Sequence, residues 1–176
     1  GQMSKSTQLG AIAKFASSGK SRPKKDLGQI AMGYGNVYVA SVSLGAKDSQ
    51  VVQAIQEAES YPGTSLIIAY SHCISHGYNL AQGLEHQKMA VATGYWPLYR
   101  YRPGSEGHPL HLDSRAPTLP VRDFMMNETR FSMLARANPT RAEQLAMLAQ
   151  ADADERWHYY SQLAGLERAL PVVKEE

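Results

Sequence analysis

Val37-Tyr38-Val39-Ala40-Ser41-Val42-Ser43 and Leu66-Ile67-Ile68-Ala69-Tyr70 bracket the stretch that decides the fold. The first run is rich in β-branched residues and carries no charge, as a strand covered on both faces requires. Between the two runs, residues 48–60 set Val51, Val52, Ile55 and Ala58 at helical spacing, and Pro62-Gly63 ends that helix. Strand, helix and strand in this order predict a right-handed βαβ unit with two buried parallel strands.

Upstream, residues 26–34 read as a helix with Leu27, Ile30 and Ala31 on one face, Asp26 as its N-cap and Gly35 as its stop. Residues 1–25 are rich in Ser, Gly and Lys and read as an irregular loop. Gly1-Gln2-Met3-Ser4-Lys5-Ser6-Thr7 has no initiating methionine and is expected to be a cut edge.

Downstream, residues 80–93 carry a weaker helical pattern with Leu84, Met89 and Val91 as core contacts. Trp96-Pro97-Leu98-Tyr99-Arg100-Tyr101 reads as an aromatic strand, placed at a sheet edge because Pro97 cannot donate to a ladder. Residues 110–113 are expected to pair back on it antiparallel. Helices follow over 121–134 and 140–166, the second with Pro139 at N1 and with Leu145, Leu148, Trp157, Tyr160 and Leu163 as docking positions. The fold class is α/β: a parallel βαβ core, an antiparallel edge strand pair and a C-terminal helical tail.

A length of 176 residues with 43% hydrophobic content suits one sizeable core. The net charge of +2 is too small to mark a nucleic-acid binder. No long apolar run suggests a membrane span. A single cysteine without a secretory pattern fits the reducing cytoplasm.

That cysteine, Cys73, follows the second apolar run, at the strand end where α/β folds place their ligands. It either packs quietly, reacts alone or completes a site built by another segment. His72 and His76 flank it, and thiolate with imidazole suits zinc or iron, yet a closed zinc site needs four ligands and His86 and His108 lack metal spacing. A catalytic thiol needs a neighbouring base, and adjacent residues of an extended strand face opposite ways, which disfavours His72.

Lys14, Lys20, Arg22, Lys24 and Lys25 resemble a phosphate patch but read more simply as a solvated loop. Glu57, Glu59, Asp152, Asp154 and Glu155 are spaced as solvent-facing charge, and Tyr95, Trp96, Tyr99 and Tyr101 as sheet packing.

Several motifs in order are more specific. Gly1-Gln2-Met3-Ser4-Lys5-Ser6-Thr7, Gly10-Ala11-Ile12-Ala13-Lys14-Phe15-Ala16, Gly19-Lys20 and Lys24-Lys25-Asp26-Leu27 are followed by Tyr38-Val39-Ala40-Ser41-Val42-Ser43 and Glu57-Ala58-Glu59-Ser60-Tyr61-Pro62-Gly63. Ile68-Ala69-Tyr70-Ser71-His72-Cys73-Ile74, Gly94-Tyr95-Trp96-Pro97-Leu98-Tyr99-Arg100-Tyr101 and Leu112-Asp113-Ser114 complete the series. From Gly1 to about Trp157 the chain resembles the thiamine-diphosphate domain of pyruvate:ferredoxin (flavodoxin) oxidoreductases, in the long single-chain form of that enzyme.

The resemblance implies a partial thiamine-diphosphate-binding fold, the C-terminal part of that domain, occupying 1–176. Residues 1–25 would be a loop near the cofactor, 26–115 the α/β core and 116–176 the helical tail. It implies an enzyme that converts pyruvate and coenzyme A to acetyl-CoA and carbon dioxide, with electrons leaving through 4Fe-4S clusters to ferredoxin or flavodoxin. It implies that Cys73 is the fourth cysteine ligand of the cluster proximal to thiamine diphosphate, with the other three on the rest of the polypeptide. It gives His72 and His76 no ligand role.

The Gly-Asp-Gly motif that holds magnesium and diphosphate in the family is absent from this sequence, so no catalytic or cofactor-binding residue is carried over. The isolated chain is then expected to be inactive, and the full-length protein to be a homodimer. The alternative is a non-catalytic assembly subunit.

Overall fold

The computed structural model describes residues 2–167. Gly1 and the last residues of the expected helical tail lie outside the described residues. In chain order the elements are α1 (Leu27–Met32), β1 (Val37–Val42), α2 (Asp48–Ser60), β2 (Thr64–Ala69), α3 (Gly83–Ala92), β3 (Tyr99–Tyr101), β4 (Leu110–Leu112), α4 (Val121–Met125), α5 (Thr129–Ala137) and α6 (Pro139–Ala164). Short 3-10 turns at Ile74–His76 and Leu80–Gln82 connect β2 to α3.

The strands form one mixed sheet in the order β2-β1-β3-β4. β1 and β2 run parallel with Val37 opposite Thr64 and Val42 opposite Ala69, and α2 crosses between them over the residues its pattern predicts. β3 pairs antiparallel with β1 and with β4, so the α/β class and the antiparallel pair are both as expected.

Two placements differ from expectation. β3 is interior rather than at an edge, because Pro97 precedes it and uses only its carbonyl, which accepts the Ser41 hydroxyl at 2.8 Å. β2 is one edge strand, with β4 at the other edge, and is half-exposed rather than buried, since nothing among the described residues pairs with its outer side.

The pleat sends alternate residues to opposite faces of the sheet. Val39, Tyr99, Tyr101 and Leu110 pack with Tyr160 of α6 and with Ala31 and Met32 of α1. Tyr38, Ala40 and Val42 pack on the other face against Ala54 of α2. Full burial of Tyr160 contributes about 2 kcal/mol, and its hydroxyl is not left unpaired, since it donates to Asp26 Oδ2 at 2.8 Å.

Asp26 also caps α1, accepting the Gln29 N–H at 3.1 Å, so one carboxylate fixes both the start of α1 and the far end of α6. Gly28 is required beneath this joint. A Cβ there would lie 1.8 Å from Tyr99 Oη.

The inward face of α2 agrees only in part with its apolar spacing: Val51 and Ala58 pack against the sheet as expected. Val52 and Ile55 are exposed, while Gln50 and Ala54 are buried. Gln50 is drawn in by hydrogen bonds, its Nε2 donating to the Ser41 carbonyl at 3.2 Å and to Asp113 Oδ2 at 3.0 Å. In α3, likewise, Leu84 is exposed, and His86, Gln87 and Ala90 face inward.

The helix expected over 121–134 is broken into α4 and α5. α4, α5 and α6 enclose Phe124, Met125, Phe131, Leu134 and Leu145 together with Leu9 and Ala11 of the N-terminal loop. α6 begins with Pro139 at its first turn and Asn138 as its cap, the side chain accepting the Arg141 N–H at 3.0 Å. Leu148 is exposed on this helix, and Leu145 and Tyr160 carry the docking.

Candidate functional site

Cys73 is exposed, so it is not packed into the core formed by the described residues. It has an extended backbone, φ −145° and ψ 140°, and stands immediately before the 3-10 turn Ile74–His76. The Ser75 backbone N–H, and after it the Ser75 hydroxyl, hydrogen-bond the sulfur and hold the thiol below its ordinary pKa, with Arg130 adding a favourable charge.

The loop carrying Cys73 is fastened at several points. His76 N–H donates to the Cys73 carbonyl at 3.0 Å, closing the turn. Gly77, with φ 75°, ends it in the left-handed region, and a Cβ there would also meet Thr129 Cβ at 2.5 Å. The Gly77 carbonyl then receives two donors from the start of α5: the Thr129 N–H at 3.0 Å and the Thr129 hydroxyl at 2.6 Å.

On its other side, His72 Nδ1 lies 3.1 Å from Gln87 Nε2. Gln87 Oε1 in turn accepts the Ser43 hydroxyl at 2.9 Å and the Gly45 N–H at 2.8 Å. The Cys73 loop is thereby tied to the C-terminal end of β1.

Glu128, fully buried, lies beneath this loop. Its Oε1 is 2.8 Å from His86 Nε2 and 3.5 Å from His76 Nδ1, and its Oε2 accepts the Arg130 Nε–H at 2.5 Å. Arg130 also donates to Tyr95 Oη at 3.1 Å. Tyr78, His86, Phe124 and Tyr95 form a ladder of rings with successive centroid separations of 4.1, 4.4 and 4.2 Å.

Burial lowers the pKa of His76 and raises those of Tyr70 and Tyr78. Tyr70 Oη, Tyr78 Oη and His76 Nδ1 are buried without a hydrogen-bond partner among the described residues.

The sequence reading picked out Cys73, His72 and His76, and the fold does bring them together, but as one ligand candidate and two supports. His76 faces Glu128, and His72 faces Gln87. Among the described residues no group of three or more His, Cys, Asp or Glu side chains could hold a metal ion. What sequence reasoning missed is the run Glu128-Thr129-Arg130. Its signal was the break between α4 and α5, where a buried Glu interrupts a helical pattern.

The basic stretch of the N-terminal loop is rearranged by folding. Lys20 is buried, its ammonium donating to the carbonyls of Lys5, Thr7 and Pro23 at 3.1, 2.5 and 3.2 Å. It is a brace for the loop rather than a solvated charge. Lys24 and Lys25 line a cavity of about 470 Å³ whose walls also carry Asp26, Asp152, Glu155 and Arg156. Charge of both signs makes this a poor phosphate patch.

Glu57 departs from expectation too. It is paired with Arg100 and accepts the Tyr38 hydroxyl at 3.0 Å. Asp152 is half-buried beside Arg156, and burial raises its pKa. Tyr95, Tyr99 and Tyr101 are buried as sheet and core packing, as their pattern suggests.

No helix of the described residues is long and apolar enough to cross a membrane.

No family model matches the chain. It is 56% identical over 170 residues to the pyruvate-flavodoxin oxidoreductase of Trichormus variabilis, covering 95% of this chain and 14% of that protein. The pyruvate-flavodoxin oxidoreductase of Rhodospirillum rubrum is 54% identical over 168 residues, covering 94% of this chain and 14% of that protein. The pyruvate:ferredoxin oxidoreductase of Moorella thermoacetica is 53% identical over 167 residues, covering 93% of this chain and again 14% of the relative. Identity of this depth along nearly the whole chain shows that it belongs to the pyruvate:ferredoxin (flavodoxin) oxidoreductase family, as a stretch matching 14% of the length of these relatives.

Proposed function

We propose that this stretch works inside a longer oxidoreductase polypeptide as the C-terminal part of its thiamine-diphosphate domain, where Cys73 is the fourth thiolate ligand of a 4Fe-4S cluster. The observation that carries this reading is the presentation of the thiol. Cys73 is exposed, held below its ordinary pKa by Ser75, and fixed on a loop anchored to both β1 and α5. A metal ligand has to give up its proton and face outward, and an exposed thiol whose pKa is lowered suits both requirements.

The donor set fits one corner of a cluster and no more, so three further thiolates come from other parts of the polypeptide. When bound, such a cluster takes up, singly, the electrons released as pyruvate is decarboxylated and passes them toward ferredoxin or flavodoxin. Thiamine diphosphate and magnesium would be held mainly elsewhere, because the Gly-Asp-Gly motif is absent here. The residues of this chain do the presenting: Ser75 stabilises the thiolate, Gly77 and Thr129 set the loop, and Gln87 ties His72 to the sheet.

The test is Cys73→Ala in the full-length protein. Iron per polypeptide is expected to fall and the EPR signal of the reduced protein to lose one 4Fe-4S component or convert it to a 3Fe-4S form. Unchanged iron and an unchanged spectrum would overturn the assignment. The same reading makes the isolated chain inactive. Pyruvate-dependent dye reduction by that chain, supplied with thiamine diphosphate and magnesium, would contradict it.

A further inference from the structure

A buried charge pair lies directly under the loop that presents Cys73. Glu128 is 0% exposed, and its carboxylate meets the Arg130 guanidinium, which is itself half-covered. From this pair to Cys73 the path is short: Glu128 Oε1 is 3.5 Å from the His76 ring, and the His76 N–H binds the Cys73 carbonyl at 3.0 Å. The surroundings offer little to damp a charge. Phe124 and the rings of Tyr78 and Tyr95 line the space, and Tyr70 Oη and Tyr78 Oη are buried without a hydrogen-bond partner among the described residues.

A satisfied apolar filling would hold the loop as well as this pair does, because Thr129 and Gly77 already clamp it. Buried charge next to a ligand loop therefore has an electrostatic consequence as well as a mechanical one. A charge in such a setting acts over several ångströms with much less screening than at the surface.

We propose that Glu128 and Arg130 are opposed positioning charges that set the reduction potential of the group bound at Cys73, Arg130 favouring an added electron and Glu128 opposing it. The proposal rests on the reading of Cys73 as a cluster ligand and names the residues that would regulate that ligand. Reduction adds one electron and hence one negative charge at the cluster, so a nearby cation stabilises the reduced form and a nearby anion destabilises it. Arg130 is charged at any ordinary pH, as a guanidinium is.

The test uses the full-length holoprotein and a mediated redox titration followed by EPR at one fixed pH. Glu128→Gln is expected to shift the potential of the cluster upward, and Arg130→Gln to shift it downward. The double variant, in which both charges are gone, is expected to return most of the way to the parent value. Structural damage alone would accumulate in the double variant rather than cancel.

Shifts in the same direction, or no shift in either single variant, overturn the proposal while Cys73→Ala still strips the cluster. If Cys73→Ala leaves the cluster untouched, the ligand reading itself has failed, and this proposal fails with it. Should either single variant lose iron, Glu128→Asp and Arg130→Lys, which keep the charges, are expected to restore both iron and potential. Failure to restore them also overturns the proposal.

Discussion

On the α2 side of the sheet, Arg100 is gripped by Asp113 through two bonds of 2.8 and 2.9 Å and is also paired with Glu57, whereas beneath the Cys73 loop one carboxylate, Glu128, is shared among His86, His76 and Arg130. The first group is nearly closed. Gln50 bridges to Asp113 and to the Ser41 carbonyl, Tyr38 donates to Glu57, and one atom, Gln50 Oε1, is left over. The second leaves Tyr70 Oη and Tyr78 Oη without a hydrogen-bond partner among the described residues, and His76 Nδ1 meets Glu128 Oε1 only at 3.5 Å. Buried polar groups are ordinarily satisfied, so the contrast separates a joint made to hold from a pocket where stability has been conceded to something else. The Arg100 group ties β3, β4 and α2 together, and the Glu128 group lies under the only thiol.

The largest expected effect comes from breaking the closed group. Arg100→Leu removes the shared cation and leaves Glu57 and Asp113 facing each other across a largely buried space. Stranding buried partners in this way costs about 3 kcal/mol or more. Urea unfolding of the full-length variant followed by a probe in this region is expected to show a midpoint well below that of the parent, with the slope unchanged. A loss under about 1 kcal/mol, the worth of an exposed ion pair, would mean that the group is solvated in practice and that the contrast with Glu128 is false.

How much of this was visible in the sequence differs between the two regions for a physical reason. β1, α2 and the parallel pair were legible because strand period, helix period and the Pro62-Gly63 stop are local signals. The partners of Glu57 were not. Arg100 stands 43 residues away, and an acidic residue at the end of an amphipathic pattern looks like any solvent-facing charge. The same blindness put Val52 and Ile55 inside and passed over Gln50, since a buried Gln becomes sensible only once Ser41 and Asp113 are known to meet it.

Cys73 stood out in the sequence because ordered motifs surround it. The platform under it did not, for Thr129 reaches Gly77 across 52 residues and Glu128 reaches His86 across 42. Pro97 misled in a different way: it signals a missing donor, which excludes a residue from a ladder but not its neighbours, and β3 starts just beyond it.

The smallest expected effect sharpens the comparison most, because it separates holding the loop from holding the fold. Thr129→Val keeps the side-chain shape and the backbone N–H that binds the Gly77 carbonyl at 3.0 Å, and removes only the hydroxyl that binds it at 2.6 Å. One such hydrogen bond is worth about 1 kcal/mol. If the Glu128 region serves the Cys73 loop rather than the whole domain, that loss is confined locally. Amide exchange is expected to quicken several-fold in residues 73–79 and to stay unchanged along β1 and α2, whose contacts do not pass through Thr129. Faster exchange spread evenly over the sheet would mean that the loop and the core open as one unit. In that case the under-satisfied pocket is simply a weaker part of the same scaffold, and the distinction between the two charge groups disappears.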